Sequence, residues 1–440
     1  MDSGMRSSGR SLLLLLFVIT ALLAPPSRAA AITLGEGLAI VAQQGRDVRI
    51  SEAEEDVVRA GVRLARSPLL PRVDLYARRT WLRYRPEALF GLFEPVPISE
   101  KDFLSYGFRI NQLLYDFGAS YALLRASRLG LKEKRLDTLR VRNLVALDFT
   151  HAYLDLLEAE RLLVLAQKEV RRFESHLEET RAMYEEGLIT KNDLLEAEVM
   201  LSDARQRLLS AENVRAMRES RINSLLARPL SEEVAPEEIS VRPYTDMSLD
   251  AAYETALRLR PEFKALQARI SAKREEVKAL KARFYPDFYV SGGYDYQENR
   301  YMVYEGNWSL VAGIKVNLSS GGATRARLRR AVAELRKLGL EEEKLRDGIM
   351  LDVKKAYLQL RSAARKVEVT AGAVAQADEN LRLQRLRYRE GVATATDVID
   401  AVVLAGKAET NYWRAVYDRM RAEAGLLYAV GEDIVKAYAD

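Results

Sequence analysis

The chain is written twice, and that duplication limits its possible folds more than any other feature. Residues 118–226 match 322–430 at a constant offset of 204, without a gap. Ala152-Tyr153-Leu154 falls on Ala356-Tyr357-Leu358, and Tyr184-x-x-Gly187-x-x-Thr190-x-x-Asp193 falls on Tyr388-x-x-Gly391-x-x-Thr394-x-x-Asp397. Upstream the offset is 215, with Leu34 on Leu249 and Pro71 on Pro286. The drop from 215 to 204 gives the first copy 11 additional residues between Pro71 and Gly118, best placed at Pro86–Pro97. A period of this length marks one supersecondary unit used twice.

Each copy has the same order. A short helical pattern opens it (Leu34–Ser67; Leu249–Phe284), and Pro71 or Pro286 is expected to stop that helix, because the residue before a proline avoids helical angles. Two alternating segments follow, then two long helical stretches joined at the Tyr-x-x-Gly turn. The division predicted is a secretory signal at 1–31, a first repeat at 32–228, a linker at 229–246, a second repeat at 247–432 and a tail at 433–440. Strands are predicted at 72–84 and 103–115, then 287–301 and 307–318. The helical hairpins are predicted at 119–228 and 323–431.

The signal reading rests on Arg6 and Arg10, an apolar run from Ser11 to Ala24, and a break with small residues at Pro25-Pro26-Ser27-Arg28-Ala29. That run falls short of the ~20 residues of a spanning helix. Loss of residues 1–29 removes Arg6, Arg10, Arg28 and Asp2, which lowers the formal charge from +5 to +3. A nearly neutral chain gives no support to nucleic-acid binding. Cysteine is absent, which excludes disulfides, thiolate metal sites and a cysteine nucleophile.

Side chains alternate across a strand. In 307–318, Trp308, Leu310, Ala312, Ile314, Val316 and Leu318 share one face; Ser309, Gly313, Lys315 and Asn317 share the other, with Val311 the exception. Phe288, Val290, Gly292, Tyr294 and Tyr296 oppose Tyr289, Ser291, Gly293 and Asp295. Leu104, Tyr106, Phe108 and Ile110 oppose Ser105, Gly107, Arg109 and Asn111. Strand 73–84 follows the pattern through Val73, Leu75, Ala77 and Trp81, but puts Arg79 on the apolar face, a place suited to a membrane rim. A half-buried soluble sheet would alternate in the same way. Segments of ~10 residues ending in Tyr and Trp favour a lipid-facing barrel. Four strands cannot close one. Open edges in hydrocarbon leave backbone groups unsatisfied, so other copies must complete the cylinder.

The helices carry a coiled-coil seam. No proline lies between Ile98 and Arg228 or after Pro286. Val145, Phe149, Ala152, Leu156, Ala159, Leu163, Ala166, Val170, Phe173, Leu177, Thr180 and Tyr184 follow steps of four and three, interrupted only by Thr180. The second copy repeats the stripe from Ile349 to Tyr388, and the returning helices carry Leu194, Ala197, Leu201, Ala204 and Val398, Ala401, Ala405, Ala408. A sustained 3.5-residue step is a seam between helices.

Signal, duplication, strand pairs and paired turns together resemble the TolC family of outer-membrane efflux and secretion channels, over about residues 32–432. The resemblance implies a mainly α fold with a membrane β-barrel portion: a long coiled-coil α-barrel plus four strands per protomer, in a homotrimer whose twelve strands close in the outer membrane. It implies a passive conduit from periplasm to exterior, without cofactor, that meets a periplasmic adaptor and an inner-membrane pump. The helices alone leave a non-channel periplasmic coiled-coil adaptor or scaffold as the rival reading.

The turn residues have structural work of their own. Gly187 and Gly391 suit a left-handed helix end. Thr190 and Thr394 can cap the returning helix, with Asp193 and Asp397 completing a capping box. By resemblance, Asp397 and Asp400 ring the periplasmic aperture, Asp193 and Glu196 hold the matching places of the first copy, and Tyr388 belongs to the latch. Gly187, Gly391, Thr190 and Thr394 mark the turns where the adaptor docks. The latch arginine of the family is here Ala393, which implies a weaker or different closure, with Lys191 a possible substitute.

No enzyme motif emerges. Ser319-Ser320-Gly321-Gly322 lacks the Lys-Ser/Thr of a phosphate loop and suits a strand end before a helix from Ala323. His151 and His176, the two histidines, are not spaced as a metal pair and suit solvated or packed helix positions.

Overall fold

The computed structural model describes residues 31–91, 94–239 and 247–438. The predicted signal up to residue 30, residues 240–246 of the predicted linker and the last two residues of the predicted tail lie outside these. Two compact units result. One gathers the residues up to Arg49 with Arg142–Ala256 and those from Asp352 onward; the other combines Ile50–Val141 with Leu257–Leu351.

Each copy opens with two helices rather than the single one its periodicity suggests. In the first, α1 (Leu34–Gln44) is followed by α2 (Arg46–Arg66). In the second, α5 (Leu249–Leu259) precedes α6 (Pro261–Ala282). The breaks fall on equivalent residues, Gly45 and Arg260, but by different means. A side chain on Gly45 would meet the Val41 carbonyl at 2.4 Å. Pro261 instead opens α6 at a position where its missing N–H costs nothing. The helices also end before Pro71 and Pro286. Pro68 sits in a 3-10 turn at Ser67–Leu69, and Leu70 is already extended at φ −111° and ψ 152°.

The second unit carries the main sheet. Strands β2 (Arg72–Trp81), β5 (Asp102–Tyr115), β7 (Asp287–Gln297) and β8 (Gly306–Lys315) pair antiparallel in the order β2-β5-β7-β8. β2 stops three residues and β7 four residues before the predicted ends, and Val316 and Leu318 lie beyond β8. Within the first copy's additional residues, β3 (Glu87–Ala88) pairs with β4 (Val96–Pro97).

The register brings like faces together. Val73, Ile110, Gly292 and Leu310 form one row across all four strands, and Leu75, Phe108, Tyr294 and Trp308 form the next. Leu75 is 84% and Leu310 81% exposed, so this apolar face has no protein cover among the described residues. On the other face Arg109 lies 3.5 Å from Asp295, which also accepts from the Tyr76 hydroxyl, and Ser291 donates to Asn111 at 2.8 Å. Arg79 stays on the apolar face and grips Asp102 through two 2.9 Å bonds beside Trp81. Tyr106 stacks on Tyr296 at 4.6 Å towards one end of the strands; Tyr115, Phe117, Tyr285 and Phe288 cluster at the other. Phe288 and Tyr296 lie eight positions apart, about 27 Å along an extended strand, close to the height of a membrane band.

Four long helices complete the repeats: α3 (Ala119–Glu185) with α4 (Lys191–Leu225), and α7 (Ala323–Arg389) with α8 (Ala395–Ala429). The predicted seam holds in the first unit. Phe149, Leu156, Phe173 and Thr180 are fully buried, as are Val353 and Leu360 of the second copy. The Thr180 hydroxyl is tolerated there because it donates to the His176 carbonyl at 2.8 Å. A short α9 (Ile434–Ala437) follows α8, and β1 (Ala31–Ile32) pairs in parallel with β6 (Ala235–Pro236) in the linker. Tyr153 secures that junction. Its buried hydroxyl donates towards the Ile32 and Glu237 carbonyls and accepts from the Glu237 N–H at 2.8 Å.

Candidate functional site

The two helix turns are near copies in three dimensions. Gly187 and Gly391 adopt φ +75° and +71°, a region that favours glycine. Their N–H groups donate to the Tyr184 and Tyr388 carbonyls at 3.0 Å, while Leu188 and Val392 reach back to Met183 and Arg387 at 2.9 Å. This is the left-handed Schellman ending. Three residues on, Thr190 and Thr394 cap α4 and α8. Asp193 accepts the Thr190 N–H at 2.9 Å, and Asp397 the Thr394 N–H at 2.8 Å. Each carboxylate also accepts its threonine's hydroxyl at 2.7 Å. These bonds hold both carboxyls below the ordinary aspartate range, led by the Thr190 hydroxyl for Asp193 and the Thr394 N–H for Asp397. Both turns also present negative charge to a helix N-terminus, where it is stabilised.

The four acidic candidates are therefore not equivalent. Asp193 and Asp397 are engaged in their own caps. Glu196 on α4 accepts from Thr396 on α8 at 3.4 Å, a contact between the two turns. Asp400, one turn beyond Asp397, is exposed and takes no hydrogen-bond or ion-pair partner among the described residues.

Tyr388, which the resemblance assigns to the latch, lies in the packing between the helices. It is 3% exposed, turned into the helix packing, with its hydroxyl unbonded and its ring against His176 at a centroid distance of 5.6 Å. Asp193, which the resemblance pairs with the latch arginine, is held here by Thr190. Ala393 packs against the buried cluster formed by Val398, Ala401 and Val402, and Lys191 makes no ion pair among the described residues. Charged contacts that the sequence reading missed join the two repeats. Arg389 of α7 bonds Glu179 of α3 at 2.5 Å. Arg172 of α3 bonds Glu409 of α8 at 3.2 Å and Asp378 of α7 at 3.4 Å, and Lys168 also bonds Glu409. The available signal was broken repeat symmetry: His176, Glu179 and Glu409 stand opposite Asn380, Leu383 and Arg205 in the other copy.

Comparison with known proteins agrees with this geometry. The family model described as Outer membrane efflux protein matches residues 38–228 and 252–432, both repeats with their strands and hairpins. The chain belongs to the outer membrane efflux protein family. It is 27% identical over 388 residues to the alkaline protease secretion protein AprF of Pseudomonas aeruginosa, covering 84% of this chain and 78% of that protein. It is 23% identical to the outer membrane protein TolC of Vibrio cholerae, covering 86% of each. Among solved structures, the Vibrio cholerae outer membrane protein VceC superposes with a TM-score of 0.78 at 17% identity, over 91% of this chain and 96% of that one. The Campylobacter jejuni CmeC outer membrane channel gives 0.79 at 13% identity, over 99% and 96%. These likenesses establish the fold, and the family establishes the role. This outer membrane efflux protein is an outer-membrane channel for efflux or secretion, a conduit of the TolC type. The rival adaptor or scaffold reading ends there, since the match takes in the strands as well as the helices.

Proposed function

We propose that three copies of the chain close one trans-periplasmic conduit, with the turns at Gly187 and Gly391 forming its inner entrance. The carrying observation is the sheet. It is open at β2 and β8, and its apolar face is exposed along its length. In hydrocarbon such edges must be paired, each unpaired group costing several kcal/mol. Alternating strand direction sets β8 of one copy antiparallel to β2 of the next, and three copies close twelve strands. The exposed apolar residues Leu195, Val199 and Val214 of α4 and Leu351, Leu358 and Val369 of α7 supply flanks for the neighbouring copies.

At the entrance Asp397 and Asp400 form the acidic aperture, with Asp400 the freer charge, and Asp193 and Glu196 sit behind it. Rings of carboxylates favour cations in a pore. The turns at Gly187-Thr190 and Gly391-Thr394 dock a periplasmic adaptor, and through it an inner-membrane pump supplies the energy. The test is single-channel recording in planar bilayers. Asp397→Ala with Asp400→Ala is expected to raise conductance or lower cation selectivity. Conductance and selectivity both unchanged would remove these residues from the aperture.

A further inference from the structure

His176 is a buried titratable group with no hydrogen-bonding partner among the described residues. It is 1% exposed, and neither ring nitrogen meets a hydrogen-bond partner. Its ring lies against Tyr388 of α7, whose buried hydroxyl is likewise unbonded. Two polar groups left unsatisfied in the seam between α3 and α7 each cost free energy that a purely apolar pair would not. Such a cost makes the contact conditional. It persists while the imidazole is neutral and the seam is dry.

We propose that His176 and Tyr388 form an acid-released catch that holds the periplasmic entrance shut. The proposal rests on the reading that the turns form the entrance. Two charged groups act on His176: Glu179 on its own helix and Arg385 on α7. Glu179 is already bonded to Arg389 at 2.5 Å, and Arg385 is a cation. Among the described residues, α4 and α8 bring no charge against the ring. An imidazolium at this place therefore finds no free carboxylate and must be hydrated, which requires α3 and α7 to part.

Burial pushes the His176 imidazole below its ordinary value in the closed seam. The sign follows. The closed state refuses a proton that the parted, wet state accepts near the ordinary value of about 6.5. The closed state is thus fully favoured above about 6.5 and loses ground as pH falls, by up to about tenfold per subunit for one unit of acidification. Parting there would also withdraw Tyr388 from its place one residue ahead of Arg389, the residue that bonds Glu179 across the same seam.

The test is the pH profile of the assembled full-length channel in planar bilayers between pH 7.5 and 5.5. The wild type is expected to gain at least about tenfold in open probability, the effect of a single subunit, and His176→Leu to lose that gain. His151→Gln, a change at the other histidine, is expected to keep it. If His176→Leu does not assemble, His176→Asn introduces the residue found at the matching place of the second copy and is also neutral. A flat wild-type profile, or a gain that survives either neutral substitution at His176, overturns the catch. Asp397→Ala with Asp400→Ala, recorded at pH 7.5, separates the two readings. If that variant alters the current while the wild-type profile is flat, only the catch fails. If it is silent and the wild-type profile is also flat, the entrance reading fails and the catch with it.

Discussion

Tyr184 and Tyr388 stand at the same place in the two repeats and meet opposite surroundings: Tyr184 is 38% exposed beside its turn, and Tyr388 is 3% exposed against His176. The two turns share one backbone, yet only the second sends its tyrosine into the packing. Truncation should separate them. Tyr388→Ala removes a buried ring and is expected to cost about 3 kcal/mol, whereas Tyr184→Ala is expected to cost less than about 1 kcal/mol. The temperature at which the assembled protein dissociates in detergent reports the difference, and equal losses would contradict the burial seen here.

Glu409 is the inward anchor of the second returning helix. Its side chain is 9% exposed and bonded by both Lys168 and Arg172, and Arg172 is itself 13% exposed. Removing the carboxylate leaves a buried guanidinium without its main partner. Glu409→Ala is therefore expected to destabilise the protein by about 3 kcal/mol. Arg207→Ala, which breaks an exposed pair with Glu169 on the first hairpin, is expected to change it by less than about 1 kcal/mol. Thermal dissociation in 1 M salt should narrow the Arg207 effect further and leave most of the Glu409 effect.

Arg79 can lie on the apolar face of the sheet because Asp102 meets it there. Asp102→Ala should strand that charge, at a cost of about 1–2 kcal/mol near a membrane rim. Adding Arg79→Leu to the same chain should restore stability, because an apolar residue then faces lipid. The yield of assembled protein recovered from membranes checks the order: wild type, the double variant close behind, and Asp102→Ala lowest.

Asp397 should keep its charge in acid better than a solvated aspartate. The Thr394 N–H and hydroxyl hold its carboxyl below the ordinary value of about 3.9. A depressed carboxyl contributes cap stability above that ordinary value and loses it as pH falls through its own lower one. Cation selectivity, read as a reversal potential, is thus expected to persist from pH 7.5 to about 4.5. Thr394→Val removes the hydroxyl and should move the loss of selectivity to higher pH. An identical profile in Thr394→Val would show that the cap does not tune this charge.

The readability of the chain differed from element to element, and the reason is range. The alternation of 288–296 and 307–315 and the seam from Phe149 to Thr180 follow from local periods of 2 and 3.5, so they were legible without a partner. Glycine and threonine at the turns were legible for the same reason, since helix ends are satisfied by neighbours three or four residues away. The break at Gly45 and Arg260 was missed because the apolar period continues through it. The contact of Tyr388 with His176 was not legible, because the two lie 212 residues apart in sequence.

The sequence by itself determined the duplication, the helix and strand types, the turn chemistry and the outward apolar face, because each is a pattern repeated within a few residues or between two copies. Only the tertiary structure decided which of two equivalent residues is buried, and which charges meet across the copies. A repeat encodes the same local preference twice, but packing the copies against each other cannot treat them alike. Tyr388, Glu409 and His176 owe their roles to that lost equivalence.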